Sequence, residues 1–316
     1  MAAGKDFLTP EEIRPLAERS DWMGAGLIFH CWAVMAGAIA LFAWAPSVLT
    51  FLLAVILIGS RQLGLAILMH DAAHNALFAN RWLNDWVGQW LCGRPILADL
   101  PSYRTYHLTH HRFTQTDKDP DLKLSRPFPT TRASLIRKIF RDLTGQTGLK
   151  QLAAQIRLSF QLAWDSDAIA ASKGEMAQAF KSASLRPALL VHTILFALLW
   201  TIGAWWWYFA FWLLPLLTWF QLVLRLRNIA EHGATEASQN PLQNVRTTRA
   251  GPLMGLIVAP YWVNFHLEHH LVMHVPCWNL PKLHEMMLAK GHGPEMRVAR
   301  TYWEVLGEVG WRNQSA

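Results

Sequence analysis

Long runs of uncharged, apolar residues limit the folds that this sequence can adopt. Residues 24–45 contain no Asp, Glu, Lys or Arg. One helix of that length crosses a hydrocarbon layer about 30 Å thick, at a rise of about 1.5 Å per residue. Residues 48–69 form a second apolar run, interrupted by Arg61 and Gln62, and residues 187–224 continue for 38 positions without a charge. Since the third run is nearly twice as long as one crossing, it predicts two helices.

These runs predict an all-α integral membrane protein with four transmembrane helices, arranged as two hairpins. The predicted spans are residues 24–45, 48–69, 187–203 and 205–224. Gly203 and the tryptophans that follow it indicate the turn between the last two spans, because Trp is enriched at membrane–water interfaces. Residues 70–186 and 225–316 are expected to form a helical cap outside the bilayer, within a single domain that covers residues 1–316.

Charged residues are scarce, and the basic ones are unevenly distributed. Charged residues make up 16% of the chain, whereas a soluble domain has roughly 25%. Of the 29 Lys and Arg residues, three lie in residues 1–23, sixteen in 70–186 and nine in 225–316. Because basic residues favour the cytoplasmic side of a membrane, both termini and the cap are predicted to be cytoplasmic. This topology explains the net charge of +7 without a nucleic-acid partner.

Nine of the fourteen histidines fall in short polar clusters. These are His70 and His74, then His107, His110 and His111, then His232, and finally His266, His269 and His270. Residues three or four positions apart share a helix face, so each cluster points its rings in one direction. The clusters adjoin predicted spans or lie in the cap, and can therefore meet at the cytoplasmic membrane surface. Since a zinc site takes only three or four protein ligands, nine imidazoles predict two metal ions.

The other five histidines carry a weaker signal. They are His30, His192, His274, His284 and His292. Isolated histidines are expected to be packed or hydrogen-bonded parts of the structure, and we assign them that role. His274 lies one helical turn past His270, which is close enough to touch the predicted metal site.

Several charged residues near the clusters have candidate roles. Carboxylates that accept the second ring N–H of a metal-bound histidine fix its orientation. The candidates are Asp71, Asp117, Asp119, Glu231 and Glu268. Arg61 lies inside a predicted span, where a charge is costly unless it is paired or functional. It is expected to form a structural ion pair or, alternatively, to line a substrate pocket above the metals.

The sequence does not match the motifs of other common metal sites or of nucleotide-binding sites. Asp117, Asp119 and Asp121 have the first spacing of a calcium-binding loop, but Leu122 stands where that loop needs glycine. The three cysteines are far apart, which indicates neither a disulfide framework nor a thiolate metal site. The sequence also has no glycine-rich nucleotide loop and no HExxH zinc motif.

The histidine clusters, in this order and spacing, resemble the three histidine boxes of the membrane-bound fatty acid desaturase and hydroxylase superfamily. His70 and His74 match the first box, the cluster that begins at His107 matches the second, and the cluster that begins at His266 matches the third. The segment from Asn228 to His232 is similar to the additional ligand segment of stearoyl-type desaturases. The resemblance implies that His232 binds a metal and that Asn228 does so through a water molecule.

The same resemblance implies two non-haem iron ions as cofactors, O2 as a co-substrate and no catalytic residue apart from the metal site. It also implies electrons from a separate protein of the ferredoxin, rubredoxin or cytochrome b5 type. His266 stands where front-end desaturases usually have Gln, and no cytochrome b5 segment is present, so a fused front-end enzyme is not expected.

We therefore predict an O2-dependent di-iron oxidoreductase that acts on C–H bonds of a long-chain apolar substrate from the bilayer, most directly a fatty-acyl lipid desaturase. The same boxes would serve a hydroxylase or ketolase of a carotenoid or alkane, or an oxidative decarboxylase that forms terminal alkenes. A zinc-dependent membrane hydrolase and a metal transporter are alternatives outside this chemistry. The transporter would need histidines along the spans, and only His30 and His192 lie there.

Overall fold

The computed structural model describes residues 3–164, 185–236, 238 and 240–310. The α-helices, in chain order, are α1 (Pro10–Leu16), α2 (Asp21–Trp44), α3 (Val48–Ala73), α4 (Arg81–Val87), α5 (Leu100–Phe113), α6 (Leu122–Ser125), α7 (Arg132–Leu143), α8 (Gln146–Trp164), α9 (Leu185–Thr201), α10 (Trp206–His232), α11 (Pro252–Ile257), α12 (His266–Leu271), α13 (Leu280–Ala289) and α14 (Tyr302–Gly310). Short 3-10 or π turns cover Ala3–Asp6, Gly88–Gly93, Arg94–Ile96, Pro260–Trp262, Cys277–Asn279 and Gly293–Glu295, and a π turn at Phe209–Leu213 lies inside α10. Two short strands, β1 (Thr247–Thr248) and β2 (Val298–Ala299), pair in parallel.

The first predicted hairpin consists of α2 and α3. Ser20 caps the start of α2, where its Oγ accepts a hydrogen bond of 3.2 Å from the N–H of Met23. Ser47 caps α3 in the same way, with a bond of 3.2 Å from the N–H of Thr50. These caps satisfy N–H groups that lack a partner inside the helix. The chain therefore ends one long helix and starts the next within a few residues.

Three of the described helices, α2, α3 and α10, are long and apolar enough to cross a membrane, with 24, 26 and 27 residues. The helix in the third predicted span, α9, has 17 residues, which is shorter than the roughly 20 needed for one crossing. Gly203, with a positive φ of 71°, lies in the predicted turn between α9 and α10. The protein is thus mostly helical and carries membrane-type helices, while the four-span count and the single-domain boundary stay predictions.

The fourth predicted span, residues 205–224, is shorter than the helix that the structure contains. Helix α10 continues to His232, and the two arginines near its end pair with carboxylates. Arg225 binds the buried Asp142 carboxylate at 2.9 Å, and Arg227 binds Glu231 at 2.5 Å. The longer helix carries His232 into the cap.

Helix α3 lies at the centre of the molecule. In its most apolar window 61% of the residues are buried, against 22% for α2. Close packing of α3 on α10 depends on Gly59, where an added Cβ would lie 2.9 Å from the side chain of Trp219. Helices α5 and α12 pack around the end of α3 that carries His70. The short cap helices α5 and α12 thus lie at the ends of the long helices α3 and α10.

Candidate metal centre

The nine histidines of the predicted clusters meet in two adjacent groups. The first histidine group consists of His70, His74, His107, His111 and His269, and the second consists of His110, His232, His266 and His270. Within each group, one ring nitrogen of every member lies within 4.8 Å of those of the other members. The structure therefore brings together all nine histidines that the sequence analysis selected.

The division into two groups follows from helix geometry. On α5, His107 and His111 are one turn apart and point to the first group. His110 lies about 100° around the helix axis from His111 and points to the second group. On α12, His266 and His270 are likewise one turn apart and belong to the second group, while His269 belongs to the first. Both short helices thus contribute to both groups.

Ring nitrogens within each group approach one another closely. His111 Nε2 lies 3.0 Å from His107 Nε2 and 3.0 Å from His269 Nε2. In the second group, His232 Nε2 lies 2.8 Å from His266 Nε2. A neutral imidazole has one N–H and one lone pair, so rings that converge in this way direct several lone pairs at a common point.

Five of the nine histidines have a buried ring nitrogen with no hydrogen-bond partner in the described part of the chain. The atoms are His70 Nε2, His74 Nε2, His110 Nε2, His232 Nδ1 and His270 Nε2. A buried polar atom without a partner costs free energy, and such atoms are rare in folded proteins. A cation between the rings would accept the lone pairs of the four Nε2 atoms, whereas His232 approaches its group with the other nitrogen, Nε2. The residues present therefore fit metal ions.

Burial also keeps the rings in the form that binds metals. Desolvation is the largest cause that lowers the pKa of the cap histidines well below the usual value of 6.5, and neighbouring histidines add to it. The affected residues are His74, His107, His111, His266, His269 and His270. Their imidazoles are thus neutral at pH 7, as metal coordination requires.

Three of the five candidate carboxylates lie beside histidines of the two groups. Asp119 Oδ1 is 2.8 Å from His110 Nδ1, and Asp71 Oδ1 is 3.4 Å from His70 Nδ1. Glu231 Oε1 is 3.6 Å from His266 Nδ1, which is an ion-pair distance rather than a hydrogen bond. All three carboxylates are buried. They are placed to orient the rings next to them.

The other two candidate carboxylates lie elsewhere. The side chain of Asp117 is 92% exposed and forms an ion pair of 3.1 Å with Arg126. Glu268 is fully buried, and its carboxylate accepts hydrogen bonds from His284 Nδ1 at 2.6 Å and from Thr247 Oγ1 at 2.5 Å. Glu268 thus holds α12 in place through residues outside the two groups.

Asn228 lies one helical turn before His232 on α10. Its side chain is half-buried, with Oδ1 3.5 Å from Arg227 Nη1. It also lines a cavity of about 140 Å³ together with Lys138 and Arg225. Metal binding by Asn228 through a water molecule stays a prediction.

Two neighbours of the histidines were missed by the sequence analysis. The ring of Tyr103 stacks on that of His107, with centroids 5.2 Å apart and planes 9° from parallel. Tyr103 precedes His107 by four positions on α5, so helical spacing was an available signal for this contact. Thr247 also donates to Glu268, but no local sequence pattern connects these two residues.

The histidines expected to be structural form contacts outside both groups. His30 Nδ1 lies 3.1 Å from Tyr261 Oη, and His192 Nδ1 lies 2.7 Å from Tyr208 Oη. His292 packs edge-on against Phe7, at 5.1 Å between ring centroids. The side chain of His274 is exposed, and partial desolvation, followed by the nearby charge of Arg19, lowers its pKa below the usual value.

Arg61 is buried on α3 and is not in a salt bridge with any carboxylate in the described part of the chain. Its guanidinium donates to the backbone carbonyl of Leu256 and lies 5.4 Å from the centre of the Tyr261 ring. The structure therefore does not supply the structural ion pair expected for Arg61. The arginine lines a cavity instead.

Known proteins are similar to this chain over most of its length. The family model described as fatty acid desaturase matches residues 42–300. The chain is 27% identical over 293 residues to a dihydrorhizobitoxine desaturase of Bradyrhizobium elkanii, which covers 88% of this chain and 77% of the relative. It is 26% identical over 297 residues to an sn-1 oleoyl-lipid 12-desaturase of Picosynechococcus sp., with 88% and 80% covered. It is also 24% identical over 222 residues to a beta-carotene ketolase of Paracoccus sp., with 70% and 74% covered.

Proposed function

Because the chain belongs to the fatty acid desaturase family, and is thus an oxidoreductase that acts on lipids, we propose that it is an O2-dependent di-iron enzyme that desaturates a fatty-acyl chain. The observation that carries this proposal is the convergence of nine histidines into two adjacent groups, each with the donor atoms for one ion. The sn-1 oleoyl-lipid 12-desaturase among the relatives supports a lipid-bound acyl chain as the substrate class.

In this proposal the first histidine group binds one iron ion and the second group binds the other. Imidazole is a suitable ligand for iron. Bound iron would supply the reduction of O2, which amino-acid side chains cannot perform by themselves. Asn228 is proposed to complete the second site through a water molecule, since it lies one turn before His232 on the same helix.

The protein's own carboxylates orient the histidine ligands. Asp119 accepts a hydrogen bond from Nδ1–H of His110, so Nε2 of that ring keeps its lone pair. Asp71 is placed to act in the same way on His70, and Glu231 lies within ion-pair distance of His266 Nδ1. A carboxylate on the outer ring nitrogen also raises the basicity of the inner one, which strengthens metal binding.

The apolar long helices support a bilayer location and a substrate that enters from the lipid. We propose that both termini and the metal centre face the cytoplasm, because the basic residues are concentrated in the segments outside the predicted hairpins. Electrons would then come from a separate cytoplasmic protein of the ferredoxin, rubredoxin or cytochrome b5 type.

A second candidate function is favoured by the similarity to a beta-carotene ketolase. A ketolase places oxygen in its product, whereas a desaturase does not. Supplying 18O2 to cells that express the protein and measuring their lipids and carotenoids by mass spectrometry separates the two reactions. An unlabelled product with two fewer hydrogens supports desaturation, and a labelled carbonyl supports the ketolase.

The metal assignment is tested by replacing one histidine from each short helix. We expect His107→Ala and His269→Ala each to bind less than two iron ions per chain and to lose lipid oxidation. His292→Ala serves as the matched control, since His292 lies outside both groups. Two iron ions per chain with full turnover in either of the first two variants would contradict the assignment.

A further inference from the structure

The two long helices that carry histidines of the groups both end at one of those histidines. Helix α3 ends at Ala73, with His74 as its capping residue, and α10 ends at His232. The last four carbonyl groups of a helix have no N–H partner inside the helix, and helix ends fray easily. A group that binds these carbonyls therefore fixes the backbone from which the histidine ring projects.

An arginine binds the carbonyl groups at the end of α3. Arg104 lies on α5, and its Nε and Nη2 donate hydrogen bonds of 2.9 Å to the carbonyls of Ala73 and Ala72, respectively. Asp85 of α4 pairs with the same guanidinium. The two carbonyls belong to the residues directly before His74. Arg104 thus ties the backbone next to this histidine to α4 and α5.

Arg246, which is only 1% exposed, forms the same arrangement at the end of α10. Its Nη1 donates to the carbonyl of Ala230 at 3.2 Å, and its Nη2 donates to that of Gly233 at 2.9 Å. Glu308 of α14 pairs with this guanidinium at 3.0 Å. His232 lies between the two carbonyls in sequence, so Arg246 holds the backbone on both sides of this histidine.

The guanidinium group suits both positions for two reasons. The carboxyl end of a helix carries a partial negative charge, which a cation stabilises. A guanidinium also has five N–H donors in a fixed plane, so it can bind two carbonyls and a carboxylate at once. It has no acceptor atom, and neither arginine can therefore serve as a metal ligand.

The two arginines serve different histidine groups. His74 belongs to the first group, and His232 belongs to the second. We propose that Arg104 and Arg246 are positioning residues, one for each group, which fix His74 and His232 by binding the carbonyls at the ends of α3 and α10. This inference rests on the proposed function in one respect, because it takes the two groups as iron sites.

The test is the iron content of the full-length protein in detergent, after anaerobic dialysis against a series of buffered Fe(II) concentrations. This measurement needs no substrate. We expect Arg104→Gln and Arg246→Gln each to weaken the binding of one iron ion by about tenfold or more, as is usual when a residue that orients a metal ligand is lost. The other ion should bind as in the unmodified protein.

Combination with histidine variants identifies the ion that each arginine serves. In His232→Ala protein, Arg246→Gln should have little further effect on iron content, whereas Arg104→Gln should weaken the binding of the remaining ion. In His74→Ala protein, the two arginine variants should exchange these effects. A general loss of stability would instead weaken both ions in every background, because only residues that act through the same site are non-additive.

Two further variants separate positioning from the ion pair itself. Glu308→Ala keeps the hydrogen bonds of Arg246 to α10 and removes only its carboxylate partner, so it should weaken the same ion by less than Arg246→Gln does. Arg297→Gln is the matched control. Arg297 also pairs with Glu308, but it binds the carbonyl of Ala234, beyond the end of α10. This variant should bind iron like the unmodified protein.

Unchanged affinity for both ions in Arg104→Gln and Arg246→Gln would overturn the proposal, and so would equal weakening of both ions by either variant. If Arg246→Gln does not fold, Glu308→Ala carries the test at the second group, and unchanged iron binding there would count against Arg246. A failure of the proposed desaturase reaction would appear separately. The unmodified protein would then bind two iron ions, each arginine variant would lose one, and the product would carry oxygen from O2.

Discussion

His110 donates from Nδ1 to the Asp119 carboxylate, with 2.8 Å between nitrogen and oxygen. The same carboxylate accepts the backbone N–H groups of Gln115 and Asp121, each at 2.8 Å. These two backbone hydrogen bonds fix the orientation of the Asp119 carboxylate independently of His110. Since Nδ1 carries the proton, Nε2 of His110 directs its lone pair into the second histidine group.

This relationship predicts a selective effect of Asp119→Asn. An amide in that place can offer an N–H to Nδ1, which favours the wrong tautomer of His110. We expect iron affinity to fall by about 10- to 100-fold, as is usual when a carboxylate behind a metal-bound histidine is lost. The measurement is iron content per chain after dialysis against a series of buffered iron concentrations.

Asp117→Asn is the matched control for that experiment. Asp117 is two positions away, but its side chain is 92% exposed and contacts Arg126 rather than a histidine. It should bind iron like the unmodified protein. Equal affinities in the Asp119→Asn and Asp117→Asn variants would show that Asp119 does not orient a ligand.

Thr247→Val should loosen the helix that carries the third histidine box. Thr247 donates to the buried Glu268, and its oxygen accepts the backbone N–H of Leu267 at 3.2 Å. Valine has nearly the same shape but leaves Oε2 of Glu268 and the N–H of Leu267 without this partner, which costs about 1–3 kcal/mol for a buried group. We expect a lower melting temperature for detergent-solubilised protein. Thr144→Val, which removes two exposed hydrogen bonds, one to Phe140 and one from Gln146, should change it little.

Gly148→Ala should disturb the packing of α8 on α10. An added Cβ would lie 2.5 Å from the backbone oxygen of Leu217 and 2.7 Å from its Cα, and backbone atoms cannot move aside cheaply. Such overpacking costs about 1–3 kcal/mol. Thermal unfolding monitored by circular dichroism should show a lower midpoint. Gly37→Ala, where no atom lies within 4 Å, is the control, and equal midpoints for the two variants would contradict the close packing.

Metal exchange should distinguish redox chemistry from hydrolysis. We expect a chelator to abolish O2 consumption with a lipid substrate and Fe(II) to restore it. Zn(II) suits the same imidazole ligands but has no redox chemistry, so it should bind without restoring activity. Conversion of the lipid substrate by the Zn(II)-loaded protein in the absence of O2 would favour the zinc hydrolase alternative.

The sequence predicted which histidines come together better than it predicted their arrangement. Cluster spacing was sufficient to select eight of the nine residues because i, i+3 and i, i+4 positions share a helix face, whereas His232 was selected by its position at the end of the fourth predicted span and by the resemblance. It could not show that the neighbours His110 and His111 separate into different groups. That separation depends on the rotation of α5 about its axis, which long-range packing decides.

The supporting residues were harder to predict. Asp119 and Asp117 are two positions apart in the same loop, and only the turn around Asp119 decides which one faces His110. Glu268 lies between metal-site histidines in sequence, yet on a short helix it points to the opposite side, towards His284. The cavity at Arg61 depends on the approach of α11, about 190 residues further along the chain.

Helices α5 and α12 each supply histidines to both groups. A rotation of either helix would therefore displace histidines of both groups at once, so the two groups are mechanically coupled. The distance between the groups depends on the packing of these two short helices. Loops around the helices can then change in sequence while the distance between the two groups is preserved.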